Sequence, residues 1–532
     1  MIRVSKWQAP RSPVNPSSAA LDWALKHARV LGDTVFLPRS FEYEALEHDW
    51  NVVRTWLQTQ DLREWTPRPL RRLLASKSAY SFRYVTQLDP LEYLAFTALI
   101  FEVGHLLEAI RVPKQQNIVF SWRFAPQSDG QLFDPDYRWF HFNQRCEELA
   151  SEARTKFVVV ADIADFFQHI YLHPIERVLD SATSRHPAAY CILRFIRNWN
   201  AFVSYGVPVG LSGSRLIAEA VLSEVDKSLL GAGRKYCRYS DDIRIFCKSE
   251  RDARKALEDL AMVLFETHGL TLQPMKTLIV SRKEYLQRFS TTGERIELES
   301  LTDKLHDLLE QAGWEDDYED EIDLDNLPDE IREEIDKLNM VQVLEEQIAS
   351  SHPDIVILRF VLHRLRQLGI SEAADSVLKN MHRLQPAIDT LVEYLSSLRS
   401  ESQPLRHRIG RKVIAATRKP SNGTYERMCL LSLFTGGREF DNEDRFEKLY
   451  EEFSDPATRR EVVLALGRSH ADHWFIARRR DYHTYDPWLR RAFIAAFSYV
   501  PEDAREPFYR SLRNGTDVQE AAIIKWASAH PF

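Results

Sequence analysis

Cysteine is scarce in this chain of 532 residues. The five cysteines are odd in number and far apart, and no C-x-x-C pair occurs, which excludes a disulfide framework and a structural zinc site of the usual spacing. We expect them to be small, buried, apolar residues. The apolar stretch at residues 93–101 is far shorter than the ~20 residues that cross a bilayer, and the first ten residues lack the pattern of a secretory signal. The sequence therefore predicts a cytoplasmic protein with no membrane partner.

Positive charge is also in short supply, because the net charge is −8. A deficit of this kind argues against a nucleic-acid partner, since phosphates are bound by Lys and Arg. Residues 315–336, however, hold 13 acids against one base, Arg332, and account for the whole deficit. Such a segment repels itself and buries little apolar surface, so we interpret it as a solvated linker, with a mimic of nucleic-acid charge as the alternative.

The sequences before and after this acidic segment differ in the spacing of their apolar residues. Before it, helical stretches alternate with runs of strand-forming residues at 157–161, 236–239 and 243–247. After it, apolar residues recur at helical spacing, as at Ile355, Leu358 and Val361. The pattern predicts an α+β region followed by an all-helical region.

The helical region contains an internal repeat. Residues 455–466 and 486–497 share the pattern D-P-x-x-R-R-x-h-h-h-A-h, in which h is apolar, at an offset of 31 residues. The Asp is expected to cap a helix and the Pro to take its first position, while the two arginines are expected on the exposed face. The pattern resembles HEAT-like α-solenoid repeats, although its period is shorter than usual.

Acidic residues follow or interrupt the strand-like runs of the α+β region. Asp162 ends the first run, where a helix cap is the simplest explanation. Asp241 and Asp242 lie between the next two runs, where a hairpin turn would also explain them. Apolar and aromatic residues flank this pair and draw it toward a core. Two carboxylates in such a position need a cation to balance their charge.

Phosphoryl transfer with two metal ions provides a reason for this arrangement. It needs carboxylates from separate strands that hold two Mg²⁺ ions ~3.5–4 Å apart. Successive residues of a strand point to opposite faces. Asp241 and Asp242 can therefore bind the metal ions equally well only if the turn rotates one of them. We therefore predict Asp162 and Asp241 as primary ligands, with Asp242 subordinate and the carbonyl of Ile163 as a further ligand.

Four segments together resemble the palm motifs of reverse transcriptases. They are D-I-A-D-F-F from Asp162, G-V-P-V-G from Gly206, Y-S-D-D from Tyr239, and G-L-T-L-Q-P-M-K-T from Gly269. They occur in the order of that family and span roughly residues 155–280. The resemblance implies a nucleotidyltransferase that makes DNA from dNTPs, with two Mg²⁺ ions as cofactors and Asp162, Asp241 and Asp242 as catalytic residues.

The same resemblance suggests further site residues. Phe167 occupies the position of an aromatic gate that excludes a ribose 2′-hydroxyl, although a core role applies to it as it does to Phe166. Lys276 matches a lysine that protonates the departing pyrophosphate, with a surface lysine as the alternative. Gly210, in the Gly-x-Pro-x-Gly segment, is assigned to the nucleotide site. The usual Gln between Pro and Gly is Val209 here, which puts template handling in question.

A basic segment precedes the palm motifs. Residues 54–83 contain seven basic residues against two acids, and by position they resemble the fingers that clamp a triphosphate. Arg83 best fits a strand-borne clamp, followed by Arg71, Arg72 and Lys77. The alternative for each of them is a solvated helix face.

A palm with a divergent N-terminal region and a C-terminal HEAT-like domain resembles the abortive-infection (Abi) polymerases of bacterial phage defence. The resemblance implies four parts: residues 1–110 as N-terminal region and fingers, 111–290 as palm, 291–345 as acidic linker with connecting helices, and 346–532 as helical domain. It further implies template-independent synthesis primed from a tyrosine hydroxyl, a single-stranded DNA product covalently attached to the protein, and a trimer or hexamer. Tyr43, Tyr80 and Tyr84 are the first candidates for the primer.

Two other functions fit the same residues. One is a templated, RNA-directed DNA polymerase, which the mildly basic first half permits. The other is an inactive palm that serves as a nucleic-acid or protein scaffold. The three intact carboxylates argue against the scaffold, because unpaired carboxylates brought together without a cation destabilise a fold.

Overall fold

The computed structural model describes residues 7–34, 36–78, 81–200, 202–289, 305, 308–309, 329–336, 338–351, 353–440, 443–512 and 515–530. Most of the acidic segment predicted as a linker lies outside these residues. The chain divides into two compact units, and each is assembled from separate stretches of sequence. The first contains Met1–Val35, Leu57–Arg71 and Thr86–Lys337, and the second contains Phe36–Trp56, Arg72–Val85 and Leu338–Phe532.

The described residues form both strands and helices. The strands are β1 (Arg71–Ser78), β2 (Ser81–Gln87), β3 (Phe157–Asp162), β4 (Lys235–Tyr239), β5 (Asp242–Cys247) and β6 (Leu278–Ser281). The α-helices up to residue 289 are α1 (Ser18–Leu31), α2 (Glu42–His48), α3 (Trp50–Thr59), α4 (Pro90–Ala109), α5 (Trp139–Ser151), α6 (Phe166–His169), α7 (Leu172–Thr183), α8 (Pro187–Trp199), α9 (Ser212–Gly231), α10 (Glu250–Val263) and α11 (Arg282–Phe289). The three strand-like runs of the sequence correspond to β3, β4 and β5, so that prediction is confirmed.

The first unit is built around a four-stranded sheet. Its strands lie in the order β4-β5-β3-β6, and each neighbouring pair is antiparallel. One face packs against α5 and α11, where Phe142, Cys146 and Tyr285 meet side chains of the strands. The other face packs against α9 and α10. Because both faces are covered, the strands are rich in Val, Ile and aromatic residues rather than alternating with polar ones.

Helix α4 is central to the rest of this unit. It packs against α1, α7, α8 and α9, and Asp89 caps its N-terminus by accepting from the amide of Leu91. It is also a helix long and apolar enough to cross a membrane by length and composition, with 78% of the relevant window buried inside the protein. A helix that is apolar on all sides fits this buried position.

The C-terminal part of the second unit is all-helical within the described residues, as the sequence predicts. The helices from residue 329 onward are α12 (Asp329–Asp336, in the first unit), α13 (Met340–Ala349), α14 (Ile355–Gln367), α15 (Ala374–Asn380), α16 (Ile388–Ser397), α17 (Gln403–Thr417), α18 (Thr424–Ser432), α19 (Glu443–Glu452), α20 (Pro456–Arg468), α21 (Asp472–Arg478), α22 (Pro487–Ala496), α23 (Glu502–Leu512) and α24 (Val518–Ala529). Alternate helices pack side by side: α14 contacts α16, and the same contact is repeated through α18, α20 and α22 to α24. The HEAT-like assignment itself stays a prediction.

The capping predicted for the repeat is confirmed. The side chains of Asp455 and Asp486 accept from backbone amides at the starts of α20 and α22. Asp517 does the same at the start of α24, which begins 31 residues after α22. Asp517 lacks the following Pro and the two arginines, so the sequence pattern did not reveal this third copy.

The prediction that both repeat arginines are exposed is wrong, because the first arginine of each pair, Arg459 or Arg490, is half-buried and the second is buried. Arg460 is 6% exposed and Arg491 is fully buried. Both guanidinium groups bind the buried carboxylate of Glu42, at 2.7 Å from Arg460 Nη2 and 3.4 Å from Arg491 Nε. Burial is tolerated because each charge finds an opposite charge inside the protein. The repeat arginines therefore hold the N-terminal helix α2 within the second unit.

The five cysteines are free and buried, as the sequence predicts. None of them occupies a position that exposes its thiol to solvent. They pack as small apolar side chains in helices and strands of the two units.

Candidate active site

Asp162 and Asp242 lie directly opposite each other on neighbouring strands. Asp162 is the last residue of β3 and Asp242 the first of β5, and they are partners in the antiparallel register. Residues opposite each other in such a pair project on the same face, with Cβ atoms ~4.5–5.5 Å apart. The sheet therefore places the two carboxylates side by side at one edge, with Asp162 only 8% exposed.

Asp241 lies in the tight turn that joins β4 to β5. Its carbonyl accepts from the amide of Ile163 at 3.2 Å, which fixes the turn against the end of β3. The residue before it, Ser240, has φ 51°, in the left-handed region that non-glycine residues seldom adopt. The turn thus brings a third carboxylate to the edge where the other two lie.

Two basic side chains bind the strand carboxylates. Lys276 Nζ lies 3.2 Å from Asp162 Oδ2, and Arg244 Nη1 lies 3.1 Å from Asp242 Oδ1. Arg244 is two residues along β5 from its partner and hence on the same face of the strand. Lys276 is the last residue of a short 3₁₀ turn, Pro274–Lys276. This turn is tied to β3 because the amide of Gln273, just before it, donates to the carbonyl of Asp162 at 2.8 Å.

The electrostatics confirm that these groups are close enough to influence one another. Burial and the negative charges of Asp242 and Asp162 raise the pKa of Asp241 to about 7. Burial lowers the pKa of Lys276, but the charges of Asp162 and Asp242 outweigh it and raise that pKa overall. A lysine ammonium thus remains charged among three carboxylates.

The chemistry of this donor set fits a divalent cation. Three carboxylates repel one another, and hard cations such as Mg²⁺ prefer oxygen ligands of this kind. Among the described residues, no group of three or more His, Cys, Asp or Glu side chains is already arranged to hold a metal ion. Lys276 and Arg244 instead contact two of the three carboxylates. Metal ions bound to these carboxylates would neutralise the charge of a triphosphate and would activate a nucleophilic hydroxyl.

The predicted nucleotide-site residues Phe167 and Gly210 lie on the adjoining segments. The amide of Val207 donates to the carbonyl of Phe167 at 3.0 Å, which joins the Gly-x-Pro-x-Gly segment to the start of α6. Gly210 has φ 102°, a conformation that favours glycine, immediately before α9. Phe167 is 8% exposed, and its ring lies tilted against that of Phe166, with ring centroids 5.3 Å apart. The ring of Phe167 is thus covered in this structure, and its role as a gate stays a prediction.

The carbonyl of Val209, the residue that replaces the usual Gln, accepts from Thr86 Oγ1 at 2.8 Å. The side chain of Val209 is 5% exposed. The buried valine therefore fills a packed position rather than presenting a polar group.

The predicted fingers residues fall on the hairpin of β1 and β2. Arg71 belongs to the first unit and donates to Gln87 Oε1 at 3.0 Å, whereas Arg72, Lys77 and Arg83 belong to the second unit. Arg72 is exposed, Lys77 is half-buried and Arg83 is 7% exposed. The carboxylates belong to the first unit, and a triphosphate-binding role for these basic residues stays a prediction.

A buried polar network behind the turn escaped the sequence analysis. Arg238 is fully buried and donates to Glu219, to Asp226 and to the carbonyl of Ser240. Ser121 Oγ accepts from the amide of Ser240 at 2.7 Å. The one indication in the sequence was Arg238 itself, a charged residue within an apolar strand, which must find partners if buried.

The candidate primer tyrosines differ in exposure. Tyr43 is 4% exposed and Tyr84 is 53% exposed, while Tyr80 lies outside the described residues. Within the described part of the chain, Tyr171 and Tyr205 are also exposed by more than a third. Of the two predicted primer candidates that the structure describes, Tyr84 is therefore the one whose side chain is exposed to solvent.

Comparison with known proteins bears on residues 110–300. These residues match the family described as reverse transcriptase (RNA-dependent DNA polymerase). No curated protein matches the chain. Among solved structures, the chain is similar to apo telomerase from Candida tropicalis, with 10% sequence identity, a TM-score of 0.30, and coverage of 72% of this chain and 73% of that chain. The family match covers the strands and the turn that bring Asp162, Asp241 and Asp242 together, and residues 110–300 thus form a reverse-transcriptase-like polymerase domain.

Proposed function

We propose that this protein is a DNA polymerase of the reverse-transcriptase class that transfers nucleotides from dNTPs with the help of two Mg²⁺ ions. The observation that carries the proposal is that Asp162 of β3 lies opposite Asp242 of β5, while Asp241 of the adjoining turn is close enough for both charges to act on it, within the segment that matches the reverse-transcriptase family. Asp162 and Asp241 act as primary metal ligands in this proposal. Asp242 is subordinate, because it is bound by Arg244, whose side chain is buried, whereas the lysine that binds Asp162 has an exposed side chain that can move away.

Lys276 is assigned to the leaving group. Its ammonium is charged and lies beside the carboxylates, where it can donate a proton to the departing pyrophosphate. When a nucleotide is bound, Lys276 must leave Asp162 for the phosphates, and its long exposed side chain permits that movement. The exposed fraction of this side chain is 63%.

We further propose that the enzyme acts in defence against phages, without a template, and primes synthesis from a tyrosine hydroxyl, so that a single-stranded DNA product stays attached to the protein. This part of the proposal is supported by the resemblance of the palm motifs to Abi polymerases and by the helical row that follows them. A trimer or hexamer in the cytoplasm belongs to the same proposal. The exposed Tyr84 supplies a candidate primer.

The test is incubation of the purified protein with Mg²⁺ and labelled dNTPs, without template or primer, followed by a denaturing gel. We expect label to migrate with the protein and to be released by nuclease. Asp241→Ala should abolish labelling, whereas Asp259→Ala, which removes a half-buried carboxylate of α10 that binds Arg234 and Lys255, should retain it. Label that appears only after addition of a primed RNA template would favour the templated alternative. Absence of label under both conditions would refute the polymerase.

A further inference from the structure

The turn that carries Asp241 adopts a conformation that must be held by its surroundings. Ser240, the first residue of the turn, has φ 51°. Non-glycine residues seldom adopt this conformation, and they persist in it where neighbouring contacts over-determine them. The direction of the Asp241 carboxylate depends on this backbone conformation of Ser240.

Both backbone polar groups of Ser240 are bound by buried side chains. Its amide donates to Ser121 Oγ at 2.7 Å, and its carbonyl accepts from Arg238 Nη1 at 3.0 Å. Ser121 is fully buried and follows a short segment that runs beside β4, through the parallel bridge between Val119 and Arg238. The turn is therefore bound on both sides from the interior of the first unit.

One carboxylate joins these two anchors. Glu219 of α9 is 1% exposed and accepts from Ser121 Oγ at 2.5 Å and from Arg238 Nη1 at 3.0 and 3.1 Å. It also accepts from Arg111 Nη2 at 2.7 Å. With its lone pairs used in this way, Glu219 fixes the orientation of the serine hydroxyl and of the guanidinium at the same time.

The opposite edge of the guanidinium is held by a second acid. Asp226 accepts from Arg238 Nε at 3.0 Å and from Arg238 Nη2 at 2.7 Å. Tyr236 donates its hydroxyl proton to Asp226 Oδ1 at 3.0 Å. All three nitrogens of the Arg238 guanidinium thus make hydrogen bonds, which orient the side chain that contacts Ser240.

From this geometry we infer that Ser121 is a positioning residue for the catalytic turn, and that Glu219 orients it. The serine hydroxyl accepts from the Ser240 amide because its own proton is donated to Glu219. In this way it directs the carboxylate of Asp241 toward the edge where Asp162 and Asp242 lie. The inference rests on the proposed function, since it takes Asp241 as a ligand for a divalent cation. A misplacement of about 1 Å at a reacting centre can cost about 100-fold in rate.

A matched pair of substitutions separates positioning from simple packing. Ser121→Ala removes the acceptor for the Ser240 amide, whereas Ser223→Ala removes a hydroxyl of the same size from α9. Ser223 is 2% exposed, and its hydroxyl has no hydrogen-bond partner among the described residues. Both variants lose one buried oxygen, but only Ser121→Ala removes hydrogen bonds, so Ser223→Ala controls for the lost volume and the two melting temperatures report the stability cost of the hydrogen bonds.

The measurements are Mn²⁺ affinity of the full-length protein, followed by the electron paramagnetic resonance of free Mn²⁺, and the kcat and KM for dNTP incorporation. We expect Ser121→Ala to weaken Mn²⁺ binding by roughly 5- to 30-fold, the equivalent of one buried hydrogen bond. Its kcat should fall more than its KM rises, while Ser223→Ala matches the wild type. If Ser121→Ala does not fold, Ser121→Cys serves instead and should show a smaller loss, because a thiol is a weaker acceptor.

Equal Mn²⁺ affinity in Ser121→Ala and Ser223→Ala would overturn the inference, as would a wild-type protein that binds no Mn²⁺. A wild type that binds Mn²⁺ but incorporates no dNTP would refute the proposed function alone. The inference would still be decided by the ratio of the two Mn²⁺ affinities.

Discussion

Arg460 donates a hydrogen bond to Glu42 at a distance of 2.7 Å, although the two residues are 418 positions apart in the chain. Arg491 approaches the same carboxylate, and Glu42 is completely buried between them. Arg460 also binds Glu461, and Arg491 binds Gln519. One carboxylate from the N-terminal part thus binds an arginine from each of two C-terminal repeats.

The first prediction concerns this ion pair. Glu42→Gln leaves two buried guanidinium groups without their shared charge, which should lower the free energy of unfolding by about 3–5 kcal/mol. Glu44→Gln, on an exposed position of the same helix, should change it little. Thermal melting of the two variants measures the difference. Equal melting temperatures would show that the buried carboxylate contributes nothing to stability.

The second prediction concerns pH and divalent cations. In the metal-free protein the pKa of Asp241 is raised to about 7, so that the folded state binds a proton more tightly than the unfolded chain. Stability should therefore fall as the pH rises from about 4 to about 7, and should stay lower above that range. Asp241→Asn should flatten this dependence.

Divalent cations should act on the same group. Mg²⁺ should stabilise the wild type most above about pH 7, where Asp241 is ionised, and binding below that pH should release a proton. Melting curves with and without Mg²⁺ across this pH range measure both effects. A wild type and an Asp241→Asn variant with parallel pH profiles would contradict the assignment of the titration to Asp241.

The third prediction concerns Lys276. Lys276→Ala removes the ammonium beside Asp162 and the proposed proton donor, so kcat should fall by about 100-fold or more with a smaller change in KM. Lys283→Ala, an exposed lysine of α11, is the control and should keep the wild-type kcat. Single-nucleotide incorporation measures both constants. A rise in KM with unchanged kcat would instead assign Lys276 to ground-state binding of the nucleotide.

The fourth prediction concerns the choice of sugar. If Phe167 limits the space at the 2′ position, Phe167→Ala should raise the incorporation of rNTPs relative to dNTPs by about tenfold or more. Phe166→Ala removes the neighbouring ring, which is 2% exposed, and should lower stability without changing that ratio. Competition between a labelled rNTP and the matching dNTP measures the ratio. An unchanged ratio in Phe167→Ala would make this ring a core residue only.

The fifth prediction concerns the primer. Tyr84→Phe should abolish product attached to the protein, because the variant lacks the hydroxyl that would attack the first dNTP. Tyr43→Phe should leave attachment unchanged, since that side chain is 4% exposed. Mass spectrometry of nuclease-trimmed protein locates the modified residue. A nucleotide found on Tyr171 or Tyr205 would exclude Tyr84 as the primer.

The elements that carry the carboxylates could be predicted from the sequence because their determinants are local. Runs of Val, Ile and aromatic residues predict β3, β4 and β5, and the two acids between β4 and β5 predict their turn. The alternation of side chains along a strand also predicted that Asp241 and Asp242 could serve equally only if the turn rotated one of them. The register that places Asp242 opposite Asp162 depends on a long-range pairing, which no local pattern contains.

The parts that sequence analysis missed depend on partners far away in the chain. The repeat arginines look alike in sequence, yet Arg460 is buried because Glu42 lies opposite it, and nothing near Arg460 indicates that contact. The contact of Ser121 with Ser240 joins residues 119 positions apart. The burial of a polar residue is decided by its partner, and the partner is known only once the fold is known.

The interleaving of the two units also determines when each can fold during synthesis. Residues 36–56 are made before the polymerase domain, but the helices whose arginines bind Glu42 are made after it. The second unit therefore cannot be assembled until α20 and α22 have been synthesised. A chain that stopped just after the polymerase motifs would contain Glu42 without either of its arginine partners. Assembly of the second unit is thus delayed until the whole polymerase domain has been made.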